Sequence, residues 1–169
     1  MGLIYLDSCV LIYAVEDQGE RGEVVRARMA RANDQLVISP LVVLECLVGP
    51  LKRDDLALRD RFTAVFDQCN LVDLSLREFV RAAELRARYS LRTPDALHLA
   101  AAQLSACQEL WTNDARLAKA SQGLAVDVTT SPPPRPSTAE AVTRARVHAV
   151  GLKPVAPKDL LRDLEVDRR

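Results

Sequence analysis

Apolar positions along this chain follow two alternating rhythms. Short runs such as Leu3-Ile-Tyr-Leu6 have no polar interruption, while longer stretches repeat their apolar residues at helical spacing. The runs predict strands at 3–6, 36–38, 71–74, 109–112 and 125–128. The periodic stretches predict helices at 8–15, 20–32, 40–48, 54–68, 76–89, 94–106 and 114–121. Within 54–68, Leu58, Phe62, Val65 and Phe66 share one face. Several starts carry their own signals. Ser39-Pro40 and Thr93-Pro94 each read as an N-cap followed by proline at the first helical position. Ser75-x-x-Glu78 is a capping box. Strands that alternate with helices in this way predict an α/β domain built on a parallel sheet.

The alternation stops near residue 130. Ser131-Pro-Pro-Pro-Arg-Pro-Ser137 reads as a stiff linker, and helical tendency returns at 138–150 and 158–164, broken by Pro154 and Pro157. The predicted organisation is a domain at 1–130, a linker at 131–137 and a tail at 138–169. Residues 135–169 carry eight basic and five acidic side chains, about +3, against fifteen and eighteen, about −3, for residues 1–134. A basic segment tethered to an acidic domain has a high effective concentration at its surface. The sequence assigns it no role, and the chain contains no internal repeat.

Composition narrows the classes of function. At 169 residues with 49% apolar composition, one domain can bury a real core. The net charge is zero and aromatics make up 4%, so neither bulk basicity nor a broad stacking platform holds nucleic acid. Cys9, Cys46, Cys69 and Cys107 lie far apart with no C-x-x-C pairing, which speaks for buried thiols in a reducing compartment and against a zinc site. The first residues lack a signal peptide's basic start and long apolar stretch, and no apolar run spans a bilayer. The expectation is a soluble, cytoplasmic protein.

Four carboxylates stand where parallel α/β folds place chemistry, beyond the carboxyl ends of strands and at helix starts. Asp7 follows the first predicted strand and Asp114 the fourth. Asp95 is the second residue of the helix opened by Pro94, and Glu45 lies in the second turn of the helix opened by Pro40. Two carboxylates ~4 Å apart repel by about 4 kcal/mol at an effective dielectric near 20. Four converging acids therefore require a shared cation. Oxygen donors without His or Cys suit Mg2+ or Mn2+, and such a centre activates water for in-line attack on a phosphodiester. Ser8, Thr112 and Asn113 are supporting candidates, although helix capping explains them equally well. His98, three residues after Asp95, reads as a packed, hydrogen-bonded core residue and stays outside the expected site. Arg86, Arg88 and Arg92 read as a solvated helix face.

The local words are more specific than the spacing. Leu6-Asp7-Ser8-Cys9-Val10-Leu11-Ile12 resembles the opening strand–Asp–Ser/Thr motif of PIN domains. Ser39-Pro-Leu-Val-Val-Leu-Glu45, Thr93-Pro-Asp95-Ala-Leu-His98-Leu-Ala100 and Trp111-Thr112-Asn113-Asp114-Ala-Arg-Leu117 resemble the second, third and fourth motifs. The resemblance covers roughly residues 2–129 and is closest to VapC-type toxins of bacterial toxin–antitoxin pairs. It implies a three-layer α/β/α fold with parallel strands in the order 3-2-1-4-5. It further implies divalent-metal-dependent cleavage of RNA by Asp7, Glu45, Asp95 and Asp114, an antitoxin partner and a homodimer. Cys9 stands where Ser, Ala or Gly is commoner, a change expected to affect packing and not chemistry. A haloacid-dehalogenase-type phosphatase would need an Asp at the Cys9 position and is rejected. The alternative to the nuclease is a catalytically inactive PIN-like protein-binding module.

Overall fold

The computed structural model describes residues 2–130. The linker and tail anticipated at 131–169 lie outside the described residues. Five parallel strands form one sheet: β1 (Leu3–Leu6), β2 (Gln35–Ile38), β3 (Asn70–Leu71), β4 (Glu109–Trp111) and β5 (Ala125–Val126), in the order β3-β2-β1-β4-β5. Seven helices flank it: α1 (Ser8–Glu16), α2 (Glu20–Ala30), α3 (Pro40–Lys52), α4 (Leu56–Phe66), α5 (Leu76–Tyr89), α6 (Thr93–Leu104) and α7 (Ala115–Ala120). This is the expected three-layer arrangement and strand order.

The uninterrupted apolar run of β1 reflects its place at the sheet centre, covered on both faces; Tyr5 and Leu6 are fully buried. Around it gather Val10 and Leu11 of α1, Val37 and Ile38 of β2, Phe62 and Phe66 of α4, and Leu110 of β4. Helix α6 explains its own composition. Ala96, Leu99, Ala100, Ala101 and Ala102 have no exposed surface, and small side chains let α6 lie close against α5 and α3.

Element ends differ from the sequence expectation for local reasons. Helix α3 runs past Val48 through Pro50 to Lys52, because a proline in the last turn forfeits only one backbone bond. Asp54 takes a left-handed conformation (φ 51°), so α4 starts later, with Asp55 accepting from the Leu58 N–H at 2.9 Å. Ala106 is also left-handed (φ 55°), which ends α6 at Leu104. The edge strands β3 and β5 pair over two residues each, shorter than their apolar runs. The Ser75–Glu78 capping box is formed, with Glu78 reaching back to the Ser75 N–H at 2.7 Å. At α6 the cap position belongs to Arg92 and not Thr93.

Candidate active site

Asp7 leaves β1 as the N-cap position of α1, yet its carboxylate caps nothing. It is 7% exposed and faces inward at the carboxyl edge of the sheet. β4 is hydrogen-bonded beside β1, so Thr112 emerges next to it and donates to Asp7 Oδ2 at 2.6 Å. The same Thr112 oxygen accepts the Asp114 N–H at 3.1 Å. Ser8 donates to Asp7 Oδ1 at 3.3 Å and the Cys9 thiol to Oδ2 at 3.4 Å. Burial, with the Asp7 charge added, pushes the Cys9 thiol up to about 12, which keeps it a protonated donor. Cys9 thus touches the carboxylate itself, beyond the packing role its position suggested.

From the other side of β1, the turn after β2 delivers Ser39 and then α3, whose second turn carries Glu45. Ser39 is the N-cap residue by position, but its hydroxyl makes no cap bond and pairs with Tyr5 Oη at 2.7 Å. Tyr5 Oη in turn lies 3.0 Å from His98 Nδ1. The opposite ring nitrogen, Nε2, lies 2.9 Å from Glu45 Oε2 and 3.5 Å from Asp7 Oδ1. Burial raises the Glu45 carboxyl, but hydrogen bonds with His98 and Ser8 outweigh it and hold the group below its ordinary range.

His98 is buried and hydrogen-bonded, as a core histidine would be, but its partners are two of the four predicted acids. Donor atoms of Asp7, Glu45 and His98 all lie within 4.8 Å of one another. The premise of an oxygen-only centre is therefore corrected. The available signal was the three-residue step from Asp95, which puts both side chains on one face of α6.

Asp95 and Asp114 stand outside that tight group. Burial, followed by the charge of Asp114 and then partly offset by Arg116, raises the Asp95 carboxyl, with Asp7 adding to the rise. Asp95 is thus within electrostatic reach of both acids. Asp114 Oδ1 caps α7, accepting from the Arg116 and Leu117 N–H groups at 2.7 and 3.1 Å, and its Oδ2 lies 3.3 Å from the Arg116 guanidinium. Those backbone bonds and Arg116 outweigh the effect of burial and hold Asp114 below its ordinary range. Asn113 donates its amide N–H to Tyr13 Oη at 2.7 Å. Arg86, Arg88 and Arg92 are exposed, as the solvated-face reading expected, and Arg88 and Arg92 also line a groove of about 470 Å³ with Arg116, Lys119 and Asp95. Arg86 donates to the Leu91 carbonyl at 3.2 Å.

Two carboxylate oxygens and an imidazole nitrogen, with a third acid whose neutral form is favoured by burial and by the charge of Asp114, fit a divalent cation. Asp7, Glu45 and His98 would hold it, with Asp95 at the rim.

The fold has counterparts among known proteins. The structure resembles a toxin–antitoxin complex chain from Klebsiella pneumoniae at 25% identity and TM-score 0.62, covering 73% of this chain and 96% of that one. It also resembles VapBC2 from Rickettsia felis bound to a promoter DNA fragment, at 17% identity and TM-score 0.62, covering 73% and 97%. A third similar structure, FitAB bound to a DNA fragment, shares 15% identity with TM-score 0.68, covering 78% and 99%. Among curated proteins none matches the sequence. A family model described as the PIN domain matches residues 4–122. The chain therefore belongs to the PIN-domain family, as anticipated from its four motifs.

Proposed function

We propose that this protein is a divalent-metal-dependent endoribonuclease, the toxin of a toxin–antitoxin pair, using Asp7, Glu45, Asp95 and Asp114. The observation that carries the reading is the convergence of Asp7 Oδ1, Glu45 Oε2 and His98 Nε2 at the carboxyl edge of a PIN-fold sheet. Mg2+ or Mn2+, when bound, supplies a Lewis acid and lowers the pKa of water. The protein's own groups prepare that event. Thr112, Ser8 and Cys9 fix the orientation of Asp7, and the His98 bond keeps Glu45 ionised. Asp95 would be relieved by a cation, since burial and then the charge of Asp114 already disfavour its ionised form.

The groove lined by Arg88, Arg92, Arg116 and Lys119 opens beside Asp95, which supports a polyanionic strand as substrate. A protein partner is supported by apolar surface. Leu44, Val48 and Leu51 form an exposed stripe on α3, and Leu76, Phe79 and Val80 form another on α5. An antitoxin and a second copy of the chain are the proposed occupants. No helix among the described residues is long and apolar enough to cross a membrane, and the proposed place of work is the cytoplasm.

The test is RNA cleavage by the purified chain with Mg2+, Mn2+ or a chelator. Cleavage should require metal and fall at least about a hundredfold, the upper range for losing even a supporting group, in Asp7→Asn, Asp95→Asn and Asp114→Asn. Glu45→Gln should fall as well, less completely. Each variant should keep its circular dichroism spectrum. Full activity in a folded Asp7→Asn protein overturns the mechanism.

A further inference from the structure

We infer that His98 is a direct nitrogen ligand of the bound cation, in addition to steadying Glu45. The inference rests on the metal-dependent reading above and deepens it. Nε2 lies among carboxylate oxygens, 2.9 Å from Glu45 and 3.5 Å from Asp7, at the point where the three donors converge. The other face of the ring is already furnished as a metal-ligating histidine requires. Such a histidine donates its remaining N–H to a fixed partner, which sets tautomer and orientation. Here Nδ1 meets Tyr5 Oη at 3.0 Å, and Tyr5 Oη meets Ser39 Oγ at 2.7 Å.

A phenol both donates and accepts, so this chain of hydroxyls serves two states of a neutral imidazole. With the proton on Nε2, His98 donates to Glu45 while Nδ1 accepts from Tyr5. With the proton on Nδ1, the Tyr5 oxygen accepts from the ring, its own proton turns to Ser39, and Nε2 presents a lone pair to the carboxylate cluster. Passing between them changes the tautomer and leaves the proton count unaltered. His98 is 2% exposed, and Tyr5 and Ser39 are fully buried, so the ring has little freedom to point elsewhere. A nitrogen donor among oxygens shifts preference toward Mn2+ and Co2+ relative to Mg2+, which favours all-oxygen sites.

The experiment uses the full chain loaded with Mn2+, its histidines labelled with 15N, and pulsed electron paramagnetic resonance. The expected result is a coupling from directly bound histidine nitrogen, lost in His98→Gln, which keeps an N–H for Glu45. Calorimetric titration should show the Co2+-to-Mg2+ affinity ratio falling at least about tenfold in His98→Gln. Tyr5→Phe should weaken Mn2+ binding by about 10–100-fold while the nitrogen coupling persists at saturation. The wild-type spectrum decides the matter even if a variant fails to fold. Bound Mn2+ without nitrogen coupling overturns the ligand role and leaves metal dependence standing. No binding of Mn2+ by the wild type at millimolar concentration overturns both.

Discussion

The Thr112 hydroxyl donates to Asp7 Oδ2 at 2.6 Å while its oxygen accepts the Asp114 N–H at 3.1 Å, so one side chain joins the acid after β1 to the acid after β4. Thr112 is almost wholly buried, which shields the bond from competing water. Thr112→Val preserves shape and removes both contacts. It should lower stability by about 1.5–3 kcal/mol, the range for a hydrogen bond to a charged group. Thr112→Ser should restore most of the loss. Urea denaturation of the three proteins checks this, and a Val variant as stable as wild type would remove Thr112 from the account.

Asp95 should behave as an acid that weakens the apo protein. Its folded carboxyl is raised, by burial and then by the charge of Asp114, so the unfolded state ionises more readily than the folded one. The destabilisation sets in as pH rises through the ordinary carboxylate range and is complete above the raised folded value. Asp95→Asn should therefore melt higher than wild type at pH 7 without metal, and the advantage should vanish on acidification below the unfolded pKa. Metal should reverse the ranking. At ten times its dissociation constant a ligand stabilises by about 1.4 kcal/mol, and wild type should gain more from Mn2+ than Asp95→Asn. Thermal melts at several pH values with and without Mn2+ test both signs; an Asn variant less stable at pH 7 in chelator would contradict the first.

The cationic groove makes a salt-dependence prediction. Arg92 and Lys119 are exposed and make no ion pair among the described residues. If each meets one phosphate, Arg92→Ala with Lys119→Ala should reduce the slope of log affinity against log salt by about 1.4, since each single-strand contact contributes roughly 0.7. KM for RNA should rise more than kcat falls, because neither side chain forms an ion pair with the four acids. Binding of a 2′-O-methyl oligonucleotide, read by fluorescence anisotropy, separates this from catalysis. An unchanged slope would place the strand elsewhere.

Much of this molecule is legible in its sequence. The break-free run of Leu3–Leu6 marks a strand buried on both faces, and the Ser75–Glu78 box marks the start of α5, because both depend on neighbouring residues alone. Asp7, Glu45, Asp95 and Asp114 could likewise be singled out, each attached to a strand end or a helix start, with Thr112 beside them. Local sequence does not reveal which donors meet. Glu45 and His98 are separated by 53 residues, and they face each other only because α3 and α6 come into contact once the sheet has assembled. Ser39 shows the same limit. Its sequence signals an N-cap, yet folding brings the Tyr5 hydroxyl from the adjacent strand within 2.7 Å, and the buried phenol takes the bond that the helix end was expected to receive. A buried polar group must find a partner, but the chain chooses it in three dimensions.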